Sequence, residues 1–536
     1  MRITNLKFLF LTLFIYVSPA FSNITGISAG NNHTLMLIDD GSVYSWGSNE
    51  YGQLGDSLIS ERHSPNRVRN ITDTGYLMDI IDVSAGVNYS LALMSDGHVL
   101  AFGKNDKGQL GNGTSSDARF PCYVLDSTGY PIEDIEKISA GSSHSLALDS
   151  WGILWAWGTN NEGQLGRGLA DSDAHTLAYP VLISSSVIFN GVDEMVAGAS
   201  FNLAMRFDEM LWSWGSGVDG QLGNDTTLSR YFPLPVFDST GTDTLKNISA
   251  FSATQHGIFG ITGHSLALDS YGKLWGWGRN FNGQLADASI ISKRLPTRVL
   301  NGSGFGFLLG VTAFESGLEH SIALLDDGSV WAWGNNFYGS IGNNSTCDEH
   351  LPVRVHGKDN IGYLFDAVKI ETGSGHNFVV LSDSRLLAWG RNGYGQLGDG
   401  TTIQHNFPVE IISIPVTVNE KSYRPAQISV CAYPNPFNSS LRVSIEAPIR
   451  AIRELPFNIE VFDISGRSVV DLTKNETAPS KLASTSNTKR TGDAEAAYII
   501  CKFTWTPNAS ISSGVYLIRA KMGFNTSITK RVIFIK

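Results

Sequence analysis

The chain is predicted to be all-β, a seven-bladed β-propeller followed by a small Ig-like β-sandwich. One stretch recurs seven times: an Ala-Gly or Ser-Gly step, an alternating apolar run, then W-G-x-N-x-x-G-Q-L-G or a near copy. The aromatic heading each copy is Trp46, Phe102, Trp157, Trp214, Trp277, Trp333 and Trp389, at intervals of 56, 55, 57, 63, 56 and 56 residues. A period this regular, in the range of propeller blades, sets the architecture. Beyond residue 427 the repeat stops and strand patterns of another kind follow.

Residues 138–166 show what one repeat encodes. His144-Ser145-Leu146-Ala147-Leu148 alternates with period two, as a strand with one buried face should. Residues 149–152 form a turn cluster ending in Gly, and 153–157 return as the second arm of a hairpin. Gly158, Gly163 and Gly166 then punctuate a sharply turning loop. A Pro/Val segment follows in most copies (Pro121 with Val124, Pro296 with Val299, Pro352 with Val355), and these prolines are expected to begin outer, edge-like strands. Four short strands per unit around an axis make a blade.

Length and charge agree. A propeller grows by adding blades, so 536 residues need not imply several cores. The formal charge is −11, made of −17 over residues 1–426 and +6 over 427–536. An acidic ring is a poor match for a phosphate backbone, which demands clustered cations, so nucleic acid is not an expected partner.

Residues 1–22 read as a secretory signal peptide, with Arg2 and Lys7 ahead of an apolar run at 8–17 and a small-x-small site at Ala20-Phe21-Ser22. The run is shorter than the ~20 residues that span a bilayer. Four cysteines (Cys122, Cys347, Cys431, Cys501) allow three pairings. Cys431 with Cys501 is the expected pair, plain buried thiols being the open alternative.

The repeats resemble the regulator of chromosome condensation family, whose copies carry the same A-G-x-x-H-S-x-A-L…G-x-V-W-x-W-G-x-N-x-x-G-Q-L-G line, here over residues 27–412. The resemblance implies seven blades over 23–418. It also implies closure by a strand from one terminus pairing into a blade built by the other, with 406–418 and 23–28 as candidates. The copies differ: the fifth ends in Ala286 and carries an insertion at 253–264, the sixth reads Gly339-Ser340-Ile341-Gly342, and the fourth has Phe201 in place of His.

His33, His144, His264, His320 and His376 share one repeat position, with Tyr89 and Phe201 substituting. Substitution by aromatics argues for packing or a backbone hydrogen bond rather than a metal or pH-sensing ring. The Trp-Gly pairs read as packing between blades. Asp39-Asp40-Gly41 and Asp326-Asp327-Gly328 lack calcium-loop spacing and read as hairpin turns. There is no P-loop, H-E-x-x-H or zinc spacing, and the Gly26-Ile27-Ser28-Ala29-Gly30 run is the Ala-Gly step of the first repeat, so no catalytic residue, metal or cofactor is expected.

After a linker at 419–427, residues 428–536 resemble the C-terminal sorting domain of the bacterial type IX secretion system. The carrying residues are Pro434-Asn435-Pro436, Gly466 in V-x-D-x-x-G-R, and Gly514 with Tyr516 in S-G-x-Y. This implies a diderm host and release from, or attachment to, the outer cell surface. The function expected is a monomeric secreted or cell-surface module that binds an extracellular protein or glycan and engages the type IX machinery through its tail. Guanine-nucleotide exchange on a small GTPase and secreted hydrolysis are the alternatives. His256, Gly257, Ile258 and Phe259 of the insertion are the expected contact residues.

Overall fold

The computed structural model describes residues 24–257 and 263–411, together with the C-terminal strands listed below and Arg467. Seven four-stranded antiparallel sheets follow one another at 24–67, 80–123, 135–180, 192–235, 248–298, 311–354 and 367–410, called blades 1 to 7. Each blade is continuous in sequence, its strands hydrogen-bonded in chain order. The up-and-down order puts the loops joining strands one to two and three to four on one face. Hairpins joining strands two to three and the connections between blades lie on the other.

The ring closes without strand exchange. Ile24–Ala29 pairs with His33–Ile38 of its own blade, and His405–Glu410 pairs with Leu386–Gly390 of its own. The expected swap is therefore corrected. The seam is instead a packed core in which Ile27, Met36 and Trp46 of blade 1 meet Phe378, Val380 and Leu397 of blade 7. All seven inter-blade cores are built this way, so burial between whole sheets suffices for closure.

The Trp-Gly step explains itself at close range. Trp46, Trp157, Trp214, Trp277, Trp333 and Trp389 are fully buried. Each indole N–H donates across a blade boundary to the carbonyl of the Gln (or Ser340) in the preceding loop, as from Trp46 to Gln396 at 2.8 Å and Trp389 to Ser340 at 2.9 Å. The Gly that follows Trp sits where the outer strand slips register. At Gly390 φ is +102°, and a Cβ there would lie 2.4 Å from the Gly375 carbonyl oxygen. Gly390→Ala is expected to cost about 2 kcal/mol or more, read as a lower urea midpoint at unchanged slope.

The outer-strand prolines sit later than expected. Pro121 is the fourth residue of Ala118–Tyr123, inside the irregular stretch between the pairs Ala101–Cys122 and Gly103–Ala118. Pro296 and Pro352 occupy the same place. A register slip leaves that residue without a ladder bond to donate, so proline is tolerated within the strand.

Two antiparallel sheets form the C-terminal part. One pairs Ser429–Tyr433, Leu441–Pro448 and Tyr498–Trp505. The other pairs Phe457–Asp463, Ser468–Asp471, Gly514–Met522 and Thr526–Phe534. Cys431 and Cys501 pair with consecutive residues on opposite edges of the same strand, Ser444 and Ile445. That register separates their Cα atoms by about 10 Å, too far for a disulfide, so the expected pairing is corrected.

Candidate interaction face

Four of the five repeated histidines make inter-blade hydrogen bonds, and His376, whose ring nitrogens have no such partner, is held by packing. His33 Nε2–H donates to Ser90 Oγ at 3.0 Å and His264 to Ser321 Oγ at 2.7 Å. His144 and His320 donate to the Oδ1 of Asn202 and Asn377 at 2.7 and 2.8 Å. Tyr89 does the equivalent work through its hydroxyl, which donates to the His144 carbonyl. Burial holds the rings neutral, lowering His33 and His264 to about 3 and His144 and His320 to about 4. Among the described residues, no three His, Cys, Asp or Glu side chains are placed to hold a metal ion.

Inside this shell, the innermost strands line an axial channel. Ser28, Ser84 and Ser139 each accept the backbone N–H of the next blade, from Ala85, Ala140 and Ala197 at 3.0, 2.9 and 2.9 Å. Blades 6 and 7 carry Glu at this position. Glu371 Oε1 accepts the Ala29 N–H across the closing seam at 3.1 Å, and Glu315 Oε2 accepts the Ser252 hydroxyl at 2.9 Å. Desolvation raises both carboxyl pKa values, and the charge of Glu315 pushes Glu371 further. Two residues earlier on the strands stand Asp82, Lys369, Lys137 and Glu194, the last two ion-paired. Burial also raises Asp82, to about 6.

The described start of the blade 5 insertion, residues 253–257, reaches across one end of this channel. Thr254, in place of the usual Gly, accepts the His264 N–H at 3.1 Å and donates to the Gly317 carbonyl at 2.9 Å. The carbonyls of Gln255 and Gly257 reach blade 3, where Ser142 Oγ donates to them at 3.3 and 3.0 Å. His256 is 2% exposed, beside the Ala29 backbone, and acts electrostatically on His33 and His376 of blades 1 and 7. The structure thus turns His256 inward, away from any docking partner, and leaves Gly257 partly buried. Ile258 and Phe259 lie outside the described residues, as do residues 1–22, Pro434, Asn435, Pro436 and Gly466. Gly514 and Tyr516 lie on one strand.

Around the insertion, on the same face, the loops between third and fourth strands differ by blade. In every blade but the fourth, which has Gly217 there, an Asn shapes the loop: Asn280 Oδ1 accepts the Leu285 N–H at 2.9 Å while Nδ2 donates to the Ser289 carbonyl at 3.0 Å. The next residue is Glu50, Asp106 and Asn161 in blades 1 to 3, but Val218, Phe281 and Phe337 in blades 4 to 6, exposed by 52%, 56% and 69%. Two arginines brace the arc. Arg279 lies 4.6 Å from the Phe281 ring and pairs with Glu319 and Asp219 at 3.3 and 3.7 Å. Arg391 lies 5.2 and 5.8 Å from the Tyr338 and Tyr394 rings. Sequence reading passed over this arc because it sits at a variable position inside an otherwise regular motif.

Residues 12–259 match the RCC1-like domain, and residues 271–324, 327–380 and 383–430 match the regulator of chromosome condensation (RCC1) repeat. The ultraviolet-B receptor UVR8 of Arabidopsis thaliana is 30% identical over 393 residues, covering 72% of this chain and 82% of its own. The chain belongs to the RCC1 repeat family. The secretion-regulating guanine nucleotide exchange factor of Mus musculus is 27% identical, over 70% of this chain and 79% of its own. The crystal structure of human WBSCR16 superposes with a TM-score of 0.58 at 21% identity, covering 72% of this chain and 96% of that one, a likeness of fold. In this RCC1-repeat chain residues 431–490 match the secretion system C-terminal sorting domain. That tail is of the type IX kind and indicates secretion or the cell surface.

Proposed function

We propose that this RCC1-repeat propeller acts outside the cell by binding, not by catalysis, and that its partner is a protein or glycan held on the face that carries the insertion. The aromatic arc of Phe281, Phe337 and Tyr394 carries this reading. Exposed rings braced by arginine offer rigid, amphipathic contact area at little entropic cost, and such residues dominate interface energetics. A glycan would stack its sugar faces on the rings, while Asn282, Glu319 and Arg279 supply hydrogen bonds at the margin. The signal peptide at 1–22 and the sorting tail would deliver the ring to that setting.

The test compares the native chain with Phe281→Ala/Phe337→Ala against a polysaccharide panel and against surface proteins of the source organism. One ligand should bind the native chain and lose at least about tenfold affinity to the double variant, at an unchanged melting temperature. Equal binding by both chains would refute the assignment of this face. The 27% identity to an exchange factor makes nucleotide release from a small GTPase the rival to measure alongside, and accelerated release would displace the binding reading.

A further inference from the structure

The opposite face carries a second departure from the repeat. Six connections join consecutive blades there, and each anchors itself with one buried apolar residue: Leu77, Ile132, Phe189, Leu245, Leu308 and Leu364. Three residues before the anchor stand Thr74, Gly129, Ser186 and Thr242 in the first four connections, but Phe305 and Ile361 in the last two. The residue after it is Met78, Glu133, Asn190 and Lys246 in the first four, but Leu309 and Phe365 in the last two. The residue before the anchor is apolar there too, Phe307 and Tyr363, as it is in the first and third connections (Tyr76 and Ile188). The six side chains of the last two connections are exposed by 98% (Phe305), 46% (Phe307), 64% (Leu309), 78% (Ile361), 50% (Tyr363) and 60% (Phe365).

The two connections are neighbours. Gly302 and Gly304 lie against Pro352 and Leu351 of the outer strand from which the second connection departs. At ~200 Å² for a large apolar residue, the ridge presents roughly 700–800 Å² of side-chain surface. The largest apolar patch on an ordinary monomer is about 300–600 Å², and a standard interface needs about 800 Å² from each partner.

We infer that this ridge is the interface of a homodimer, a second copy of this chain packing its own 305–309 and 361–365 ridge against it. The size of the patch favours this occupant, and so does its rim. Lys358 and Arg385 stand beside Asp359, Asp383 and Glu410, with Lys358 Nζ 2.7 Å from Glu410 Oε2 and Arg385 Nε 2.8 Å from Asp383 Oδ2. A rim carrying both signs complements itself under a two-fold axis, whereas a partner of one charge would find half of it repulsive. The dimer replaces the monomer expected from sequence. It also leaves the two insertion-bearing faces pointing apart, each free to bind, which doubles the valency of the particle.

Sedimentation velocity of the full chain across a wide concentration range tests this. The expected result is reversible dimerisation that Phe305→Ser/Ile361→Ser weakens at least about tenfold, with unchanged melting at dilutions where both chains are monomeric, because both side chains are exposed in the single chain. A native chain that stays monomeric at every concentration overturns the inference, as does a dimer indifferent to the double variant. A photo-crosslinker at position 305 gives an independent reading. A bond to the ridge of a second copy supports the dimer, and a bond within one chain to residues 412–536 overturns it.

Discussion

Trp157→Ala is expected to lower the unfolding free energy by about 3–5 kcal/mol, the range for removing a large buried aromatic. Trp157 is fully buried between blades 2 and 3, among Leu91, Leu110, Val124 and Ile138, and its indole N–H donates to the Gln109 carbonyl at 2.9 Å. The alanine variant loses apolar burial, opens a cavity and leaves that carbonyl with the Ser145 hydroxyl as its remaining donor, at 3.0 Å. Trp157→Phe should cost only about 1–2 kcal/mol, since the chain itself uses Phe102 at the same position one blade earlier, where it is equally buried. Denaturant titration of the two variants separates the contributions. Equal losses would show that the hydrogen bond, not the packing, governs the position.

The channel carboxylates should make the ring less stable as pH rises. Glu315 and Glu371 are raised to about 7 and about 8, above the ordinary carboxylate value, so the folded state holds protons that the unfolded chain has released. Stability from these protons is fully present below about pH 4.5 and is lost as pH rises through the raised values. Glu371 faces Glu315, Lys369 and Asp82 around the channel and accepts the Ala29 N–H at the seam between first and last blades. Glu371→Gln keeps an oxygen acceptor for that N–H while removing the charge. The variant should match the native chain near pH 5 and exceed it by about 1–2 kcal/mol near pH 8, a figure discounted because both side chains keep some contact with channel solvent. Parallel thermal melts at the two pH values check this, and a native melting temperature that rises with pH would contradict it.

Most of the blade architecture was legible because it is local and repeated. Strand alternation, turn glycines and the Trp-Gly step are each imposed within a dozen residues, and seven copies cancel the noise of any one. The ring of histidines also yielded to sequence reasoning as far as its structural role. What the alternation could not show was the partner of each hydrogen-bonded ring, because Ser90, Asn202, Ser321 and Asn377 lie a whole repeat away. The insertion was equally visible as an anomaly of spacing, yet its direction was not, and His256 proved to face the channel.

Sequence alone determined the number of blades, the pairing of strands within each and the presence of a tail of another kind, all of which rest on periodicity. Tertiary structure decided how the ring closes, where the prolines fall and which loops gather on a common face. Those outcomes depend on contacts between residues one or more repeats apart in the chain. Phe281 with Phe337, and Phe305 with Ile361, become neighbours only when the ring bends their blades side by side.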